Sequence, residues 1–399
     1  MTTLERTAAP ILFTMIYWLI AWNDSAIGWL AAVLYLPLLG LVMLLRGRER
    51  RLLVALFLII LALAGVYQLK AGIEAHTVAT ERAVRLARAG EPVEPVPGRS
   101  HFIREQENNF LKTRTFRSTS NQTVAVGIAA MGMTLVIISG GIDLSVGSVM
   151  ALTCVMTAWC LKAGAAPVPA VLAGIALGGL CGLFNAAMIT RLRVVPFIAT
   201  LGMWGIARGL AKGIASEQKI DAPAGWLGEH VVVFQPKPAW LLVSPGVWTT
   251  LVLAAIVWAI LRYTALGRYI FAIGSSEATA RLCGIRVERI KLYLYTIAGL
   301  CTGLAGVMQF CRLTVGDPTT AIGAELDVIA AVVIGGGSLS GGEGSVFGSI
   351  IGALIMAFLR VGCDQVGVPT WVQEMIIGGV IVLAVALDQW RHRRMAGTR

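Results

Sequence analysis

The stretch from Met131 to Leu152 constrains the fold more than any other part of the chain. It reads MGMTLVIISGGIDLSVGSVMAL, so an apolar run breaks at Gly140-Gly141, carries Asp143 just after the break, and then resumes. A carboxylate inside an apolar segment is costly in a membrane and marks a functional site by default, and backbone that leaves the helix there must line protein or a cavity. A second break, IGGGSLSGGEGSVFGSIIGAL, spans residues 334–354. Together the two breaks indicate a membrane transporter.

The composition supports a protein that crosses the membrane many times. The 399 residues are 57% hydrophobic and only 14% charged, which is more apolar surface than a soluble domain of this length can bury. The formal net charge of +11 is compatible with nucleic-acid binding, but Arg and Lys cluster at the ends of apolar runs, as the positive-inside rule predicts. We therefore expect an all-α transmembrane bundle in contact with lipid and no nucleic-acid partner.

Apolar runs of about 20 residues, the length of one crossing, predict twelve candidate spans. They lie near residues 10–22, 26–45, 52–69, 122–139, 148–163, 168–190, 194–214, 245–263, 291–311, 322–337, 345–361 and 370–388. A cytoplasmic N-terminus places the main Arg clusters and segment 262–291 inside, and segments 70–121 and 215–244 outside. The first run resembles a signal-peptide core, but no small-x-small cleavage site follows it, so we expect a retained span.

Several charged residues lie within or next to the predicted spans. Asp143 either caps the helix that follows it or contacts a solute, and Glu325 and Asp327 invite the same helix-start interpretation. Arg208 and Lys212 are four residues apart and are expected to extend to the outer interface. The two breaks also align, with Gly-Gly-x-x-Leu-Ser at 140–145 and at 335–340. The match is short, and descent from an internal repeat remains one of two alternatives.

An enzyme finds little support in the sequence. It contains no G-x-x-x-x-G-K-[ST] loop, no G-x-S-x-G elbow and no H-E-x-x-H pair, so no catalytic residue is assigned. The seven cysteines form no C-x-x-C pair and the four histidines are scattered, so neither a metal site nor a cofactor is expected. If ATP drives this protein, another chain must hydrolyse it.

The polar segment RYTALGRYIFAIGSSEATARLCGIRVERIK, residues 262–291, combines an amphipathic helical pattern with mixed charge. Glu277 and Arg281 are four apart on one helical face, and Gly284 is a plausible C-terminal stop. A short helix parallel to the membrane would suit the groove of a partner protein. The alternative is an ordinary charged loop.

Four stretches also resemble a known family, in order and in spacing. They are GMTLVIISGGIDLSVGSVMAL, VVPFIATLGMWGIARGLA, GRYIFAIGSSEATARLCGIRVERIKL and ELDVIAAVVIGGGSLSGGEGSVFGSIIGAL. They are similar to the permease subunits of ribose-type simple-sugar ABC importers, in the superfamily that also holds branched-chain amino acid permeases. The resemblance covers residues 110–388, and the Gly-Gly-Ile-Asp-Leu-Ser-Val-Gly wording favours the sugar branch.

The resemblance implies a type II-like importer fold with about ten core spans, each long enough for one crossing. It implies cytoplasmic ABC ATPase subunits, a periplasmic sugar-binding protein and a second permease copy or paralogue as partners, in the inner membrane of a bacterium. Segment 274–285 would dock on the ATPase through residues matching the family pattern: Glu277, Ala280, Arg281 and Gly284. Motif position suggests a translocation path lined by Asp143, Ser145, Asn185, Phe197, Thr200, Ser338 and Ser340.

The chain departs from the family pattern in two ways. Ser276, Ala278 and Thr279 replace the usual Asn, Glu and Ala, and Gly337 replaces a usual Thr. The family's first span resembles residues 52–69, which predicts a membrane extension at 1–51, a permease domain at 52–390 with an outer insertion at 70–120, and a basic tail at 391–399. The rival functions are a secondary symporter using Asp143 or Asp327, or an ABC permease for another small solute.

Overall fold

The structure is a computed structural model that describes residues 14, 48–88, 95–97, 101, 113–228 and 243–396. Most of these residues are helical. The helices are α1 (Arg48–Arg88), α2 (Thr113–Ile138), α3 (Val146–Lys162), α4 (Pro167–Arg191), α5 (Pro196–Ile214), α6 (Pro245–Tyr263), α7 (Ala265–Ser275), α8 (Glu277–Leu282), α9 (Val287–Leu313), α10 (Ala324–Ile334), α11 (Val346–Val366) and α12 (Thr370–Ala396). Two short strands, β1 (Ile220–Asp221) and β2 (Val315–Gly316), pair antiparallel with Ile220 opposite Gly316.

The prediction of an all-α polytopic membrane protein is confirmed. Among the described residues, six helices are long and apolar enough to cross a membrane: α1 from Val54, α2 from Thr115, and α4, α6, α9 and α11. Helix α3 and residues 370–386 of α12 are shorter apolar helices. The spans predicted at 10–22 and 26–45 lie outside the described residues.

The span predicted at 322–337 is shorter in the structure than in the sequence analysis. Helix α10 has only 11 residues and ends at Ile334. At 1.5 Å per residue it is about 16 Å long, roughly half of the hydrocarbon thickness. The three glycines that follow it explain the early end, since Gly336 adopts a φ of +100° that a helix does not allow. Residues 335–345 therefore form a long irregular segment before α11 begins.

The chain divides into two compact units. Unit 1 comprises the described parts of Met1–Phe116 together with Phe358–Met375. Inside it, the rings of Phe116 and Phe358 meet edge to face at 5.3 Å, and Gln365 Nε2 donates to Thr115 Oγ1 over 2.9 Å. Helix α1 continues from the predicted span at 52–69 to Arg88 without a break. Most of the predicted insertion at 70–120 is therefore either helical or outside the described residues.

Unit 2 comprises Arg117–Ala357 and the described part of Ile376–Arg399. Helix α2 is its central element, because 89% of its most apolar stretch is buried, whereas only 22% of the corresponding stretch of α6 is buried. Its side chains at Ile128, Met131 and Leu135 are fully enclosed by protein. A helix that is apolar on every side belongs inside a bundle, while α6 presents most of its surface outward, where lipid is expected.

Helices α4 and α9 pack at glycines spaced four residues apart. A Cβ atom added at Gly178 would lie 2.5 Å from the Gly299 carbonyl oxygen and 2.5 Å from Gly303 Cα, and one added at Gly182 would lie 3.0 Å from Gly299 Cα. Backbones approach this closely only where both helices lack side chains. Glycines at four-residue spacing on both helices therefore allow the close packing of this pair.

Candidate translocation site and coupling segment

The first break joins α2 to α3 through residues 139–145. Gly140 turns the chain with a φ of +82°, which favours glycine. The Asp143 side chain is 4% exposed, and its Oδ1 accepts hydrogen bonds from the backbone N–H of Ser145 at 2.9 Å and from Ser145 Oγ at 2.6 Å. Ser145 is the N-cap residue of α3. Asp143 was one candidate for the N-cap of this helix. In the structure it instead binds Ser145, the residue that precedes the helix, and does not itself cap the helical amides.

A buried polar chain extends from this break into α4. Asn185 Nδ2 donates to Ser145 Oγ over 3.1 Å, so Asn185, Ser145 and Asp143 are linked in sequence, and all three side chains are buried. The hydroxyl of Tyr295 lies beside it, because a Cβ atom on Gly141 would come within 2.5 Å of that oxygen. Within the described residues, the Tyr295 hydroxyl and Asn185 Oδ1 have no hydrogen-bond partner. We call Asp143, Ser145, Asn185 and Tyr295 the buried polar chain.

The first turn of α5 supports the same break. Thr200 Oγ1 accepts a hydrogen bond from the Leu144 N–H at 3.2 Å, and its single proton has the carbonyl of Pro196 at 3.0 Å and that of Ile142 at 3.3 Å as alternative acceptors. Thr200 is fully buried, whereas the ring of Phe197 on the same turn is half exposed. Four of the predicted path residues, Asp143, Ser145, Asn185 and Thr200, therefore meet at one place, and Phe197 lies at its edge.

The second break contacts the first through backbone. Ser338 is buried and accepts a hydrogen bond at Oγ from the Ser340 N–H over 3.3 Å, and Ser340 is exposed. The link between the breaks is a hydrogen bond from the Gly342 N–H to the Ile138 carbonyl at 2.8 Å. The two predicted serines therefore belong to a segment that touches the end of α2.

The structure corrects the expectation for Arg208. Its side chain is only 8% exposed, and its Nη1 donates to the carbonyls of Pro318 and Thr320 at 2.8 and 2.9 Å. Gln309 Nε2 adds a bond to Thr320 Oγ1 at 2.8 Å, whereas Lys212 is exposed as predicted. Arg208 thus satisfies irregular backbone between α9 and α10. The polar run after α9, beginning at Gly316, was the available sequence signal for this role.

An ion pair connects the two strand segments beside Arg208. Lys219 Nζ lies 3.0 Å from Asp317 Oδ2, and Asp317 Oδ1 accepts from the N–H and hydroxyl of Thr319 at 2.8 and 2.6 Å. Burial alone would raise the pKa of Asp317, but the bonds from Thr319 and Lys219 lower it below its ordinary value. Together with the β1–β2 ladder, these contacts fasten the end of α9 to the segment after α5.

The predicted coupling segment contains a short helix with defined ends. Helix α8 begins after Ser276, whose side chain accepts a hydrogen bond from the Thr279 N–H at 3.2 Å, and Gly284 follows it with a φ of +80°. Ala280 is buried against Ile273 and Val287. The pattern-based prediction of a short helix here is therefore confirmed, and Ala280 and Gly284 shape it.

Charged side chains tie α8 to the start of α9. Arg281 binds Glu277 at 2.8 Å and also binds Glu288, while Lys291 Nζ lies 2.7 Å from Glu277 Oε2. Burial raises the pKa of Glu277, but hydrogen bonds from Lys291 and Arg281 outweigh it and lower the pKa below its usual value. We call these four residues the ion-pair cluster. Leu282, at the end of α8, is 89% exposed.

A cavity of about 380 Å³ lies between the α4–α5 turn and the ion-pair cluster. Charged groups from both sides face it, including Arg193, Glu277, Arg281, Glu288 and Lys291. Over the part of the chain that the structure describes, no three His, Cys, Asp or Glu side chains come together as metal ligands would. The described residues thus offer the buried polar chain, the Arg208 network and the ion-pair cluster as candidate functional features.

Comparison with known proteins identifies relatives over the same region. The family described as "Branched-chain amino acid transport system / permease component" matches residues 116–385. The ribose import permease protein RbsC of Escherichia coli (strain K12) is 40% identical over 287 residues, which cover 70% of this chain and 87% of the relative. The fructose import permease protein FrcC of Rhizobium meliloti is 37% identical over 288 residues, covering 70% and 79%.

The L-arabinose ABC transporter permease protein AraH of Azospirillum brasilense is 35% identical over 286 residues, covering 72% of this chain and 83% of the relative. No solved structure matches the chain. The family match includes both breaks and the coupling segment, and the relatives cover more than two thirds of the chain. The chain is a member of the branched-chain amino acid transport system / permease component family.

Proposed function

We propose that this chain is the transmembrane permease subunit of an ATP-driven importer that moves a simple, ribose-like monosaccharide across the inner membrane of a bacterium. The observation that carries the proposal is the family match over residues 116–385, which includes every element of the candidate site. Its relatives carry the names of ribose, fructose and L-arabinose permeases. All three are monosaccharides, two five-carbon aldoses and one six-carbon ketose, and all carry several hydroxyl groups.

The buried polar chain supports a path for a hydroxylated solute. Such a solute both donates and accepts hydrogen bonds, and Asn185 Oδ1 and the Tyr295 hydroxyl are free to exchange bonds with it within the described residues. Unpartnered polar groups are expensive in a dry interior, so a state that hydrates them or presents them to sugar is favoured. We propose the path residues predicted from sequence, Asp143, Ser145, Asn185, Phe197, Thr200, Ser338 and Ser340, and add Tyr295.

Helix α8 supports a docking role toward a separate ATPase. Its buried side, at Ala280, is fixed to the permease, while Leu282 projects almost fully exposed next to the ion-pair cluster. A large apolar side chain at the tip of a rigid, charged helix suits a partner groove with an apolar floor and a polar rim. We propose that ATP is hydrolysed on that partner and that α8 transmits the resulting movement.

The surface of helix α5 supports the proposal that a second permease copy binds this chain. Gly202, Gly205, Gly209 and Gly213 have open space around them among the described residues, in contrast to the tightly packed glycines of α4 and α9. Trp204 and Leu210 on this helix are also exposed. An open glycine face in lipid allows another helix to approach closely. The proposed partner there is a second copy or a paralogue, and a periplasmic sugar-binding protein would deliver solute to the pair.

Uptake measurements test the proposed function. The chain is produced with its ATPase and binding protein in a host that lacks its own uptake of ribose, fructose and L-arabinose, and entry of each labelled sugar is measured. We expect uptake of at least one sugar that requires an ATPase with an intact phosphate loop and persists when an uncoupler is present. Uptake that collapses with uncoupler and continues without the ATPase would identify a symporter. Uptake of none of these sugars would favour another small solute.

Labelling of the native Cys283 tests the orientation in the membrane. Cys283 is exposed and follows α8, which we place in the cytoplasm, while the exposed Lys219 belongs to the outer strand β1 region. A membrane-impermeant maleimide should modify Lys219→Cys in intact cells and should reach Cys283 only after the cells are opened. The reverse pattern would contradict the topology and, with it, the docking role of α8.

A further inference from the structure

The two breaks and the end of α7 meet at one point where glycines bring three backbones together. The Gly342 N–H donates to the Ile138 carbonyl at 2.8 Å. A Cβ atom on Gly274 would overlap that same carbonyl oxygen and lie 2.5 Å from Gly342 N, and one on Gly341 would lie 2.7 Å from the Gly274 carbonyl oxygen. We call Ile138, Gly274, Gly341 and Gly342 the glycine junction.

The junction lies between the coupling helix and the buried polar chain. Gly274 is in the last turn of α7, two residues before Ser276, which caps α8. Ile138 is the last residue of α2, directly before the loop that carries Asp143. Gly341 and Gly342 belong to the second break and have φ values of +83° and +77°, which only glycine adopts readily. The glycine junction therefore connects the end of α7, which leads directly into α8, with both breaks.

We infer that Gly274 is a positioning residue that transmits movement of α8 to the two breaks. This inference rests on the proposed function. Flexible side chains absorb a displacement by changing rotamer, but close-packed backbones have no such freedom, so a shift on one side must move the other. When the ATPase draws α8 toward or away from the membrane, the ends of α2 and of the second break follow. The loop that holds Asp143 and Ser145 then changes its geometry.

The substitution Gly274→Ala tests this role in the complete transporter, because its Cβ atom would push α7 away from Ile138. We expect the ATPase to co-purify at the wild-type level, since the exposed surface of α8 is unchanged. Stimulation of ATP hydrolysis by sugar-loaded binding protein, and sugar uptake, should both fall by at least about tenfold, because overpacking of a tight contact is not absorbed. Gly378→Ala is the matched control, since nothing described lies within 4 Å of that glycine.

Wild-type stimulation and uptake by Gly274→Ala would overturn the inference. If the wild-type transporter moves no sugar, the proposed function fails, whereas wild-type uptake with an unaffected variant refutes the junction alone. A distance measurement covers the case in which the variant does not fold. Spin labels are placed on the native Cys283 and on Ser340→Cys, and Cys160→Ser removes the other cysteine that is not buried. The distance between the labels is measured by pulsed electron paramagnetic resonance with and without ATP.

The label distances have a definite expectation. Cys283 reports on α8 and Ser340 on the second break, so a junction that moves as one body keeps their separation unchanged when ATP binds. In the same background, the separation between Cys283 and Lys219→Cys should change, because the outer strand region is not part of the junction. A change in the first distance on ATP binding would show that α8 moves independently of the breaks and would refute the inference.

Discussion

The buried polar chain and the ion-pair cluster have similar bonding but opposite surroundings. In the first, Asp143 accepts two hydrogen bonds from Ser145, and all of its members are enclosed by protein. In the second, Arg281 binds two carboxylates, but its side chain is 47% exposed and that of Glu277 is 41% exposed. Asp143 and Arg281 each make two contacts, but the contacts of Asp143 contribute more to stability. Water competes for the exposed contacts of Arg281 and not for the buried ones of Asp143.

The difference in solvent exposure suits the two networks to different roles. Removing one partner from a buried pair leaves an unsatisfied group and costs about 1–3 kcal/mol, whereas an exposed ion pair contributes about 0.2–1 kcal/mol. The buried polar chain is therefore suited to a fixed geometry that a solute can sense. The ion-pair cluster keeps its helix in place yet can exchange partners with a docking protein.

The largest effect is expected for Asp143→Ala. It leaves the N–H and hydroxyl of Ser145 without their acceptor in a buried loop, so the free energy of unfolding should fall by about 2 kcal/mol and uptake should be lost. Asp143→Asn retains one carbonyl oxygen at the same position and should keep most of the thermal stability. The measurements are thermal unfolding of the purified protein in detergent and uptake of labelled sugar.

Wild-type stability of Asp143→Ala would contradict the contrast between the two networks, since the buried one would then be as forgiving as the exposed one. Ser145→Ala provides a second test, because it breaks the connection between Asn185 and Asp143 while the Ser145 N–H still binds the carboxylate. We expect it to lose uptake with a smaller loss of stability than Asp143→Ala.

Reversing a charge in the ion-pair cluster should affect coupling more than folding. Arg281→Glu places a third carboxylate beside Glu277 and Glu288, and Glu277→Lys places a third cation beside Arg281 and Lys291. Because these side chains are exposed, the bundle should still fold and insert. Like charge against the ATPase can cost several kcal/mol at an interface, so co-purification and uptake should fall together.

The matched control for the reversals is Glu74→Lys on α1. Glu74 forms an exposed pair with Lys70 at the same four-residue spacing, with its side chain 64% exposed. It should leave expression, ATPase recruitment and uptake unchanged. Normal recruitment by both reversed variants would remove the ion-pair cluster from the docking surface.

Truncating Leu282 separates docking from the internal role of the cluster. Leu282 is exposed and belongs to no ion pair, so Leu282→Ala should not change thermal stability. If it inserts into an apolar groove of the ATPase, the substitution should weaken recruitment by about tenfold, the effect of losing a well-buried interface side chain. Binding of the ATPase to the reconstituted permease at several concentrations measures this. Unchanged affinity would place the contact elsewhere on α8.

The sequence predicted the elements of this site better than their contacts. Glycine pairs and Asp143 located both breaks, and the Glu277–Arg281 spacing located α8, because local propensity and charge spacing determine short elements. The partners of Arg208 lie about 110 residues away in the chain, and their identity depends on how α9 and α5 pack. The sequence analysis treated Arg208 like Lys212, since periodicity alone does not distinguish the two sides of a helix in lipid.

Glycine spacing shows the same limit. The stripes of α4, α5 and α9 look alike in sequence, yet those of α4 and α9 are packed and that of α5 is open. Spacing predicts that a helix can be approached closely but not which helix approaches it. Charge spacing has the same limit at Glu277 and Arg281. It predicted them as contacts for the ATPase, but it did not predict that both side chains also have partners within the chain.

The smallest predicted effect concerns the pH dependence of the ion-pair cluster. The folded-state pKa of Glu277 is lowered below its ordinary value of 4.5, so its ion pairs stabilise the fold above that pH and are lost as the pH falls through the lowered pKa. Glu277→Gln removes this contribution. Because the carboxylate is exposed, wild type should exceed the variant by only about 0.5 kcal/mol at neutral pH. Thermal unfolding between neutral and acidic pH should show the two curves converging. A difference that persists or grows in acid would mean that Glu277 stabilises the segment by packing and not through its charge.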